Sequence, residues 1–481
     1  MKQSSRYILV AILFTVLPRF LRILYGAVRI EDPNYVYGAF LIFKGQSPYI
    51  DFAMPNLPVL EQLLALLYRL FGPSYRIAEL LTALGVMSTA LLLYAIGRRL
   101  WGVAAGLVAA FAYSWHPLVF RYHLFDREIF TALAVAAMVH ILVTQPSGRR
   151  RALLTSACII AGFACKQTMA VPAVALGLFL LSRRSLKELL WTAGFTAGGV
   201  GVLCGAYYLE YGQDFLLQSL VFHFIKGQAA PVPVKMLWFT QGLHFILPMG
   251  LLGLAGLAMQ RRSVAVLLWA LGGLEFLFDT IASATLWPHY LIPALVPLAL
   301  AAGWVVHAAV HTHRFMRPLA IAAGLLGVLV FAAVTWRTNE PLLAALGFSG
   351  VDRAALMKLG ARVRDLTPED GVIIAPPLEA LVCRRVKLIN FKDNWGVMQE
   401  LRDAVRGGRR REFNERMASL TFAEIRRRSA NQWLPLVAES LRQRRIAAVI
   451  VNYELPLDQR FLENCGYRKV FDDPPVWIPG S

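Results

Sequence analysis

The chain has 481 residues, of which 57% are hydrophobic and 16% are charged, and its mean hydropathy is +0.52. A soluble protein of this size needs far more charge to cover its surface, and a disordered chain is more polar. The net charge is +19, but residues 1–337 hold 26 basic and 12 acidic residues, against 23 and 18 in residues 338–481. Most of the excess positive charge therefore lies among apolar segments, where basic residues set membrane orientation. We expect an integral membrane protein that does not bind nucleic acid.

Apolar runs of about 20 residues, long enough to cross a bilayer, recur through the first 337 residues. The stretch 152–182 is either one long helix or a tight pair of helices. The pair is preferred because a single helix would move the later basic clusters to the opposite side of the membrane from the earlier ones. The predicted spans are 7–25, 76–96, 103–119, 129–145, 152–166, 169–182, 189–209, 243–260, 263–283, 287–310 and 318–336.

The compact basic clusters all fall in alternate loops, which the positive-inside rule assigns to the cytoplasm. The N-terminus is then cytoplasmic, the first span is a retained anchor, and the C-terminus is outside. The opposite loops are longer and carry acidic residues, which points to chemistry on the outer face. The clusters are Arg98-Arg99, Arg149-Arg150-Arg151, Arg183-Arg184 with Lys187, Arg261-Arg262, and Arg314 with Arg317.

Hydropathy falls after Trp336, and short buried strands are expected at 371–377 and 446–453, separated by charge-rich helical stretches. We therefore predict a small extracytoplasmic α/β domain at 338–481, following a membrane domain at 1–337 with a large first outer loop at 26–75. Cys383 and Cys465 are the only cysteines of the second domain. An oxidising compartment would permit a disulfide between them, and the sequence leaves open whether they pair.

The first outer loop begins with Glu31 and Asp32, directly after the first span. A carboxylate at this place could deprotonate an acceptor hydroxyl, since general-base catalysis needs hydrogen-bond reach and a suitable pKa. The alternative is a helix N-cap, because Asp before Pro is a common helix start. From these two residues alone, both interpretations stay open.

The continuation of the loop resembles the large-loop signature of the GT-C membrane glycosyltransferases, in the branch of protein O-mannosyltransferases and lipid A aminoarabinose transferases. The family pattern runs from an acidic pair through a Tyr and a Gly-x-x-Pro-Tyr-x-Asp segment to a Pro-rich turn and Phe-Gly. The acidic pair here is Glu-Asp, whereas the family usually has Asp-Glu, so either Asp32 or Glu31 could be the base, with Asp32 preferred. The matching positions are Glu31-Asp32, Tyr35, Gly45, Pro48-Tyr49, Asp51, Pro58 and Phe71-Gly72.

The resemblance gives roles to a second outer loop and to a lysine further along the chain. Asp126 and Glu128 would orient the sugar or the acceptor, although capping of the next helix explains one carboxylate equally well. Lys166 would bind the donor phosphate, the alternative being a lysine that snorkels to the interface. Tyr35, with Tyr122 and His123, would contact substrate, and Arg121 would assist Lys166 at the phosphate.

His289 and Tyr290, followed by prolines, resemble a further family segment and could contact the donor phosphate or sugar; a core histidine is about as plausible. Asp279 is an ionisable residue at membrane depth, which indicates function by default. Its partner could be Lys166 or His289. The chain has no CxxC or HExxH spacing, so no metal ligands are assigned, although a divalent metal could bridge carboxylates and phosphate.

The resemblance implies an α-helical polytopic GT-C protein of about eleven transmembrane helices that transfers a sugar, with inversion, from a polyprenyl-phosphate donor to an acceptor hydroxyl. The acceptor could be a lipid, a glycan or a protein. The Arg- and Ala-rich usage suits a bacterial plasma membrane. A transporter or flippase of a lipid-linked substrate is the alternative, since multispan architecture with buried ionisable residues also suits transport, and a non-catalytic scaffold is a weaker one.

Overall fold

The computed structural model contains two compact units built from interleaved parts of the chain. One consists of Met1–Arg29, Glu79–Ala206 and Ala230–Ser349, and the other of Ile30–Ala78, Tyr207–Ala229 and Gly350–Ser481. The predicted domain boundary at residue 337 stays a prediction. The residues that the structure describes are 34–121, 125–221, 231–244, 246–259, 263–283, 288–311, 317–319, 321–322, 325–326, 352–387, 437–450, 459–472 and 474–480.

Helices dominate the described residues up to residue 311. The predicted split of 152–182 is confirmed, because two helices are joined there by a 3-10 turn at Gln167–Met169. The helices are α1 (Asn34–Phe43), α2 (Val59–Phe71), α3 (Tyr75–Trp101), α4 (Val103–Ser114), α5 (Pro117–Arg121), α6 (Arg127–Thr144), α7 (Arg149–Cys165), α8 (Ala170–Ser182), α9 (Leu186–Leu216), α10 (Val232–Leu243), α11 (Leu247–Met259), α12 (Ser263–Leu277) and α13 (Leu295–His311).

Four of the described helical segments are long and apolar enough to cross a membrane: Tyr75–Trp101, Arg127–Thr144, Leu186–Val221 and Val264–Ala282. Side chains such as Leu190, Val202 and Leu209 in the third of these are more than two thirds exposed. Large hydrophobic side chains on an open helix surface suit a lipid environment. The predicted first span lies outside the described residues and the last one almost entirely so, and the count of eleven stays a prediction.

Small residues bring apolar helices of the first unit into close contact. A Cβ added at Gly253 of α11 would lie 2.1 Å from the carbonyl oxygen of Ala301, and one at Gly303 of α13 would lie 2.5 Å from that of Ala105 in α4. In a bilayer the hydrophobic effect contributes little between helices, so close backbone packing of this kind contributes much of their association. The core of this unit is accordingly formed around α13.

The second unit contains a five-stranded sheet with the order β2-β1-β3-β5-β4. The strands β1 and β3 lie where the sequence predicts buried strands, and they pair in parallel; β5 runs antiparallel to β3 and β4. Of the helical stretches predicted between them, 396–418 lies outside the described residues, as does 421–445 up to residue 436. The elements are α14 (Arg353–Leu366), β1 (Val372–Ile374), α15 (Pro377–Cys383), β2 (Val386–Lys387), β3 (Ala448–Ile450), α16 (Gln459–Asn464), β4 (Tyr467–Asp472) and β5 (Pro475–Pro479).

The first loop belongs to the same unit as this sheet. In α1, the Tyr37 hydroxyl accepts a hydrogen bond from the backbone N–H of Lys387, 2.7 Å away, and α1 also packs against α2 and α15. The turn before α2 is held by Gln218, whose amide nitrogen donates to the Tyr49 carbonyl at 2.7 Å and whose amide oxygen accepts from the Met54 N–H at 3.1 Å. The loop is therefore an ordered layer fixed by contacts distant in sequence.

Cys383 and Cys465 are both free thiols in the structure. Burial, and secondarily the nearby carboxylate of Glu379, raises the pKa of Cys383 to about 12. At pH 8 only roughly one thiol in 10⁴ would then be a reactive thiolate. We expect Cys383 to resist maleimide in the folded protein and to react fully after denaturation without reductant, as counted by mass spectrometry. A mass 2 Da lower, with no label at either cysteine until reductant is added, would show instead that they pair.

Candidate active site

The acidic pair of the second loop lies at the start of α6. Asp126 has an extended backbone, and its Oδ1 accepts from the N–H of Glu128 at 3.1 Å, so the predicted capping role is confirmed. Capping occupies only one oxygen of Asp126. Glu128 is 1% exposed, and its Oε2 has no hydrogen-bond partner among the described residues. A buried carboxylate oxygen without a donor is costly, so capping alone does not explain why Glu128 is here.

Arg127, between the two carboxylates, fixes the start of α6 against the end of α7. Its side chain is fully buried, and Nη1 donates to the carbonyl oxygen of Cys165 at 2.8 Å. The next residue, Lys166, leaves the helix in an extended conformation. Because of this link, the lysine side chain is directed back towards the carboxylates of α6.

Lys166 forms a buried ion pair with Glu128. Its Nζ contacts Glu128 Oε1, and both side chains are less than a tenth exposed. The same Nζ lies 3.4 Å from the centre of the Tyr290 ring, in the position of a cation–π contact. The interpretation of Lys166 as a lysine that snorkels to water is therefore wrong: this ammonium is enclosed by protein groups of complementary charge.

His289 completes the cluster from a 3-10 turn at Pro288–Leu291. Its Nε2 lies 3.7 Å from Glu128 Oε1, and its ring is edge-on to that of Tyr290, with centroids 4.7 Å apart. Segments separated by up to about 160 residues thus meet at one carboxylate. We call Asp126, Glu128, Lys166, His289 and Tyr290 the α6 cluster.

Two further acidic side chains interact electrostatically with the ammonium of this cluster. The charge of Lys166 acts on the carboxylates of both Glu275 and Asp279, which are buried at the end of α12. Asp279 also interacts with Lys235, whose ammonium donates to the Ser283 carbonyl oxygen at 2.7 Å. Of the two partners considered for Asp279, Lys166 exerts an electrostatic effect on its carboxylate. Sequence reasoning missed Glu275 and Lys235, although a charge inside an apolar run was the signal that could have found them.

The cluster has the donor atoms of a divalent metal site. One atom each of Asp126, Glu128 and His289 lie within 4.8 Å of one another, and two carboxylate oxygens with an imidazole nitrogen suit Mn²⁺ or Zn²⁺. The ammonium of Lys166 already contacts one of these oxygens. The residues therefore fit a divalent cation at this place. The ammonium of Lys166 already brings one positive charge to it.

Most of the remaining predicted site residues lie outside the described part of the chain. Glu31, Asp32, Tyr122 and His123 lie outside the described residues, as does the side chain of Arg121, whose backbone ends α5. Tyr35 is 5% exposed in α1 and belongs to the other compact unit. Asp51 accepts from the Ser47 N–H at 2.7 Å, so this motif residue stabilises the turn of the first loop.

Known proteins were compared with this chain by sequence and by fold. A family profile of dolichyl-phosphate-mannose-protein mannosyltransferases matches residues 54–206. ArnT from Cupriavidus metallidurans, solved with undecaprenyl phosphate, is 14% identical with a TM-score of 0.59, covering 81% of this chain and 86% of its own. Archaeal oligosaccharyltransferase AglB from Archaeoglobus fulgidus was solved with an inhibitory peptide and a dolichol-phosphate. It is 12% identical with a TM-score of 0.53, and the match covers 99% of this chain and 74% of its own.

A third solved structure, the mycobacterial arabinofuranosyltransferase AftD, is 13% identical with a TM-score of 0.55, over 100% of this chain and 40% of its own. All these proteins belong to the GT-C superfamily of glycosyltransferases. The chain has the GT-C fold. The predicted GT-C fold is thereby confirmed, although no protein of curated function matches the sequence.

The family profile covers only part of the α6 cluster. The matched segment contains Asp126, Glu128 and Lys166, whereas His289 and Tyr290 come from beyond it. The contacts at Glu128 connect the two parts. Within the described part of this GT-C fold, the cluster is therefore where charged residues predicted from the sequence come together.

Proposed function

We propose that this protein transfers a sugar from a polyprenyl-phosphate carrier to an acceptor hydroxyl, with inversion at the anomeric carbon. The observation that carries the proposal is the α6 cluster: a buried lysine, histidine and two carboxylates, brought together within a GT-C fold. Buried ionisable groups in a membrane domain are costly and mark functional sites. Two of the similar proteins were solved with polyprenyl-phosphate lipids, which suits a phosphate carrier here.

Lys166 is the proposed contact to the carrier phosphate. Its ammonium contacts Glu128 and lies over the ring of Tyr290, so a positive charge is held in place among the acidic residues of the cluster. When the bond between the anomeric carbon and the phosphate oxygen breaks, its electron pair stays on the phosphate. A fixed cation stabilises that developing charge. His289 is the second proposed phosphate ligand, with Arg121 and Tyr290 assisting.

Asp32, or its neighbour Glu31, is the proposed general base. It takes the proton of the acceptor hydroxyl as that oxygen attacks the anomeric carbon on the face opposite the phosphate. Tyr35, Tyr122 and His123 would contact substrate, and Asp126 and Glu128 would orient the sugar. A divalent cation at Asp126, Glu128 and His289, when bound, would neutralise part of the phosphate charge, and Lys166 supplies positive charge there in any case.

The site is proposed to face the outside of a bacterial plasma membrane, with the N-terminus in the cytoplasm and the second domain extracytoplasmic. The proposed acceptor is the hydroxyl of a lipid, a glycan or a protein. The transfer itself is tested with purified protein in liposomes, supplied with polyprenyl-phosphate sugars radiolabelled in the sugar. We expect label to move to acceptors from the same cells and free polyprenyl phosphate to appear in equal amount. Movement of intact donor across the bilayer without release of the phosphate would support a flippase instead.

A further inference from the structure

Four exposed arginines lie at the ends of α7 and α8. Arg149 and Arg150 begin α7, and Arg183 and Arg184 follow the last residue of α8. Both pairs belong to basic clusters that the positive-inside rule assigns to the cytoplasm. Within the described part of the chain none of the four forms an ion pair, so their charge is open to a partner from outside the protein. We call these four residues the arginine surface.

A buried ion pair holds the two halves of the arginine surface near each other. Arg151 Nε and Nη2 donate to the two carboxylate oxygens of Glu188 in α9, at 2.6 and 2.7 Å, and Glu188 is 3% exposed. The guanidinium of Arg149 lies 5.9 Å from the centre of the Phe195 ring, also in α9. Arg184 is four residues before Glu188, at most about 14 Å along the chain. The start of α7 and the turn after α8 are therefore fixed beside the start of α9.

The arginine surface carries positive charge that its surroundings in the chain do not balance. Glu188 is the only acidic residue in 129–209, and both of its carboxylate oxygens accept from Arg151. Arg149 and Arg150 are in the first turn of a helix, where the helix dipole disfavours a cation. Helix stability therefore does not explain these two arginines, whereas a bound anion does.

The turn between α8 and α9 has an arginine where glycine is the usual residue. Arg184 has a φ of 53°, and its N–H donates to the Leu181 carbonyl oxygen at 2.8 Å, while the Ser185 N–H donates to that of Leu180 at 2.9 Å. This is the Schellman arrangement at a helix end, whose left-handed position favours glycine because a Cβ is strained there. The backbone of the turn therefore does not explain why an arginine is present.

Exposed leucines directly beside the arginines indicate what meets this surface. Leu153 of α7 is 52% exposed, Leu181 of α8 is 48% exposed, and Leu186 and Leu190 of α9 are 59% and 71% exposed. α9 belongs to a helical segment that is long and apolar enough to cross a membrane. Large hydrophobic side chains open on such helices suit acyl chains. The arginines next to them lie where long basic side chains extend to the headgroup layer.

We infer that the arginine surface binds the headgroup phosphates of anionic phospholipids in the predicted cytoplasmic leaflet. Guanidinium groups bind phosphate oxygens through two parallel N–H donors, and clusters of basic residues at the cytoplasmic ends of membrane helices bind anionic headgroups. A zwitterionic headgroup is the weaker partner, because its own cation offsets the charge of its phosphate. This inference does not rest on the proposed transfer reaction.

Lipid binding to the full chain in neutral detergent, followed by native mass spectrometry, tests the inference. The variant Arg149→Gln, Arg150→Gln is compared with Arg98→Gln, Arg99→Gln, which removes the same charge from another cluster predicted to be cytoplasmic. We expect the wild type to prefer phosphatidylglycerol to phosphatidylcholine. The first variant should bind phosphatidylglycerol about 5-fold more weakly for each arginine removed, the effect of one basic residue near an anionic surface, and the control should bind it as the wild type does.

Equal weakening in both double variants would overturn the inference, because it would show a general attraction to positive charge and no site at α7. Unchanged binding in the first variant would overturn it as well. Thermal unfolding of each variant, compared with that of the wild type, shows whether a loss of binding comes from the folded protein.

A second measurement uses the unaltered chain, in case the variants do not fold. Wild-type protein in nanodiscs of phosphatidylglycerol or of phosphatidylcholine is treated with phenylglyoxal, which modifies accessible arginines, and the products are mapped by mass spectrometry. We expect the arginine surface to react several-fold more slowly in phosphatidylglycerol, and Arg98 to change much less. The same change at Arg98, or no slowing at the arginine surface, would overturn the inference. Equal slowing by inorganic phosphate in phosphatidylcholine would also overturn it, since the ligand would then be a soluble anion.

Discussion

Replacing Lys166 with alanine is expected to lower the rate of sugar transfer about 10²–10³-fold, the cost of removing one preorganised group that stabilises a developing negative charge. The reason is that Lys166 is the cation of the α6 cluster, paired with Glu128 and lying against the Tyr290 ring. The rate is measured with a radiolabelled donor in liposomes. Lys187→Ala, which removes an exposed lysine near the start of α9, is the matched control and should leave the rate unchanged.

Lys166→Ala also leaves Glu128 as a buried charge without its partner, and breaking such a pair costs about 3–5 kcal/mol. Loss of activity could then follow from unfolding alone. The double variant Glu128→Gln, Lys166→Met removes both charges and should recover most of the thermal stability. We expect it to stay inactive, because the phosphate still lacks its cation. Recovery of transfer together with stability would mean that the ion pair is structural only.

Changing both Glu31 and Asp32 to their amides is expected to abolish measurable transfer, while the amount of protein in the membrane stays the same. A general base contributes roughly 10²–10⁴-fold to the rate, and the double change removes either candidate. The single variants Asp32→Asn and Glu31→Gln then assign the role: we expect the larger loss for Asp32→Asn. The control is Glu210→Gln, an exposed carboxylate of another predicted outer loop. Full activity of the double variant would contradict the proposed mechanism.

The sequence predicts the fold class well because its signals are local. The split between α7 and α8, and the short strands β1 and β3, follow from hydropathy and basic residues that are close together along the chain. The α6 cluster is different in kind. Asp126, Glu128, Lys166 and His289 could each be marked from their type and context, but their meeting at Glu128 depends on helix packing over long separations.

Other features could not be read from the sequence for physical reasons. A lysine at the end of an apolar helix looks the same whether it snorkels to water or turns inward, and for Lys166 the direction depends on the link from Arg127 to the Cys165 carbonyl. Glu275 and Lys235 were overlooked because single charges within apolar helices gain meaning only beside their partners.

The most direct test of the account is whether the α6 cluster binds a polyprenyl phosphate. Thermal unfolding of the detergent-purified protein is followed with and without undecaprenyl phosphate, for the wild type, Lys166→Ala and Lys187→Ala. We predict a rise in the unfolding temperature of the wild type and of Lys187→Ala, and none for Lys166→Ala. The same rise in all three proteins would contradict a phosphate site at Lys166, and no rise in folded wild-type protein would contradict a polyprenyl-phosphate donor.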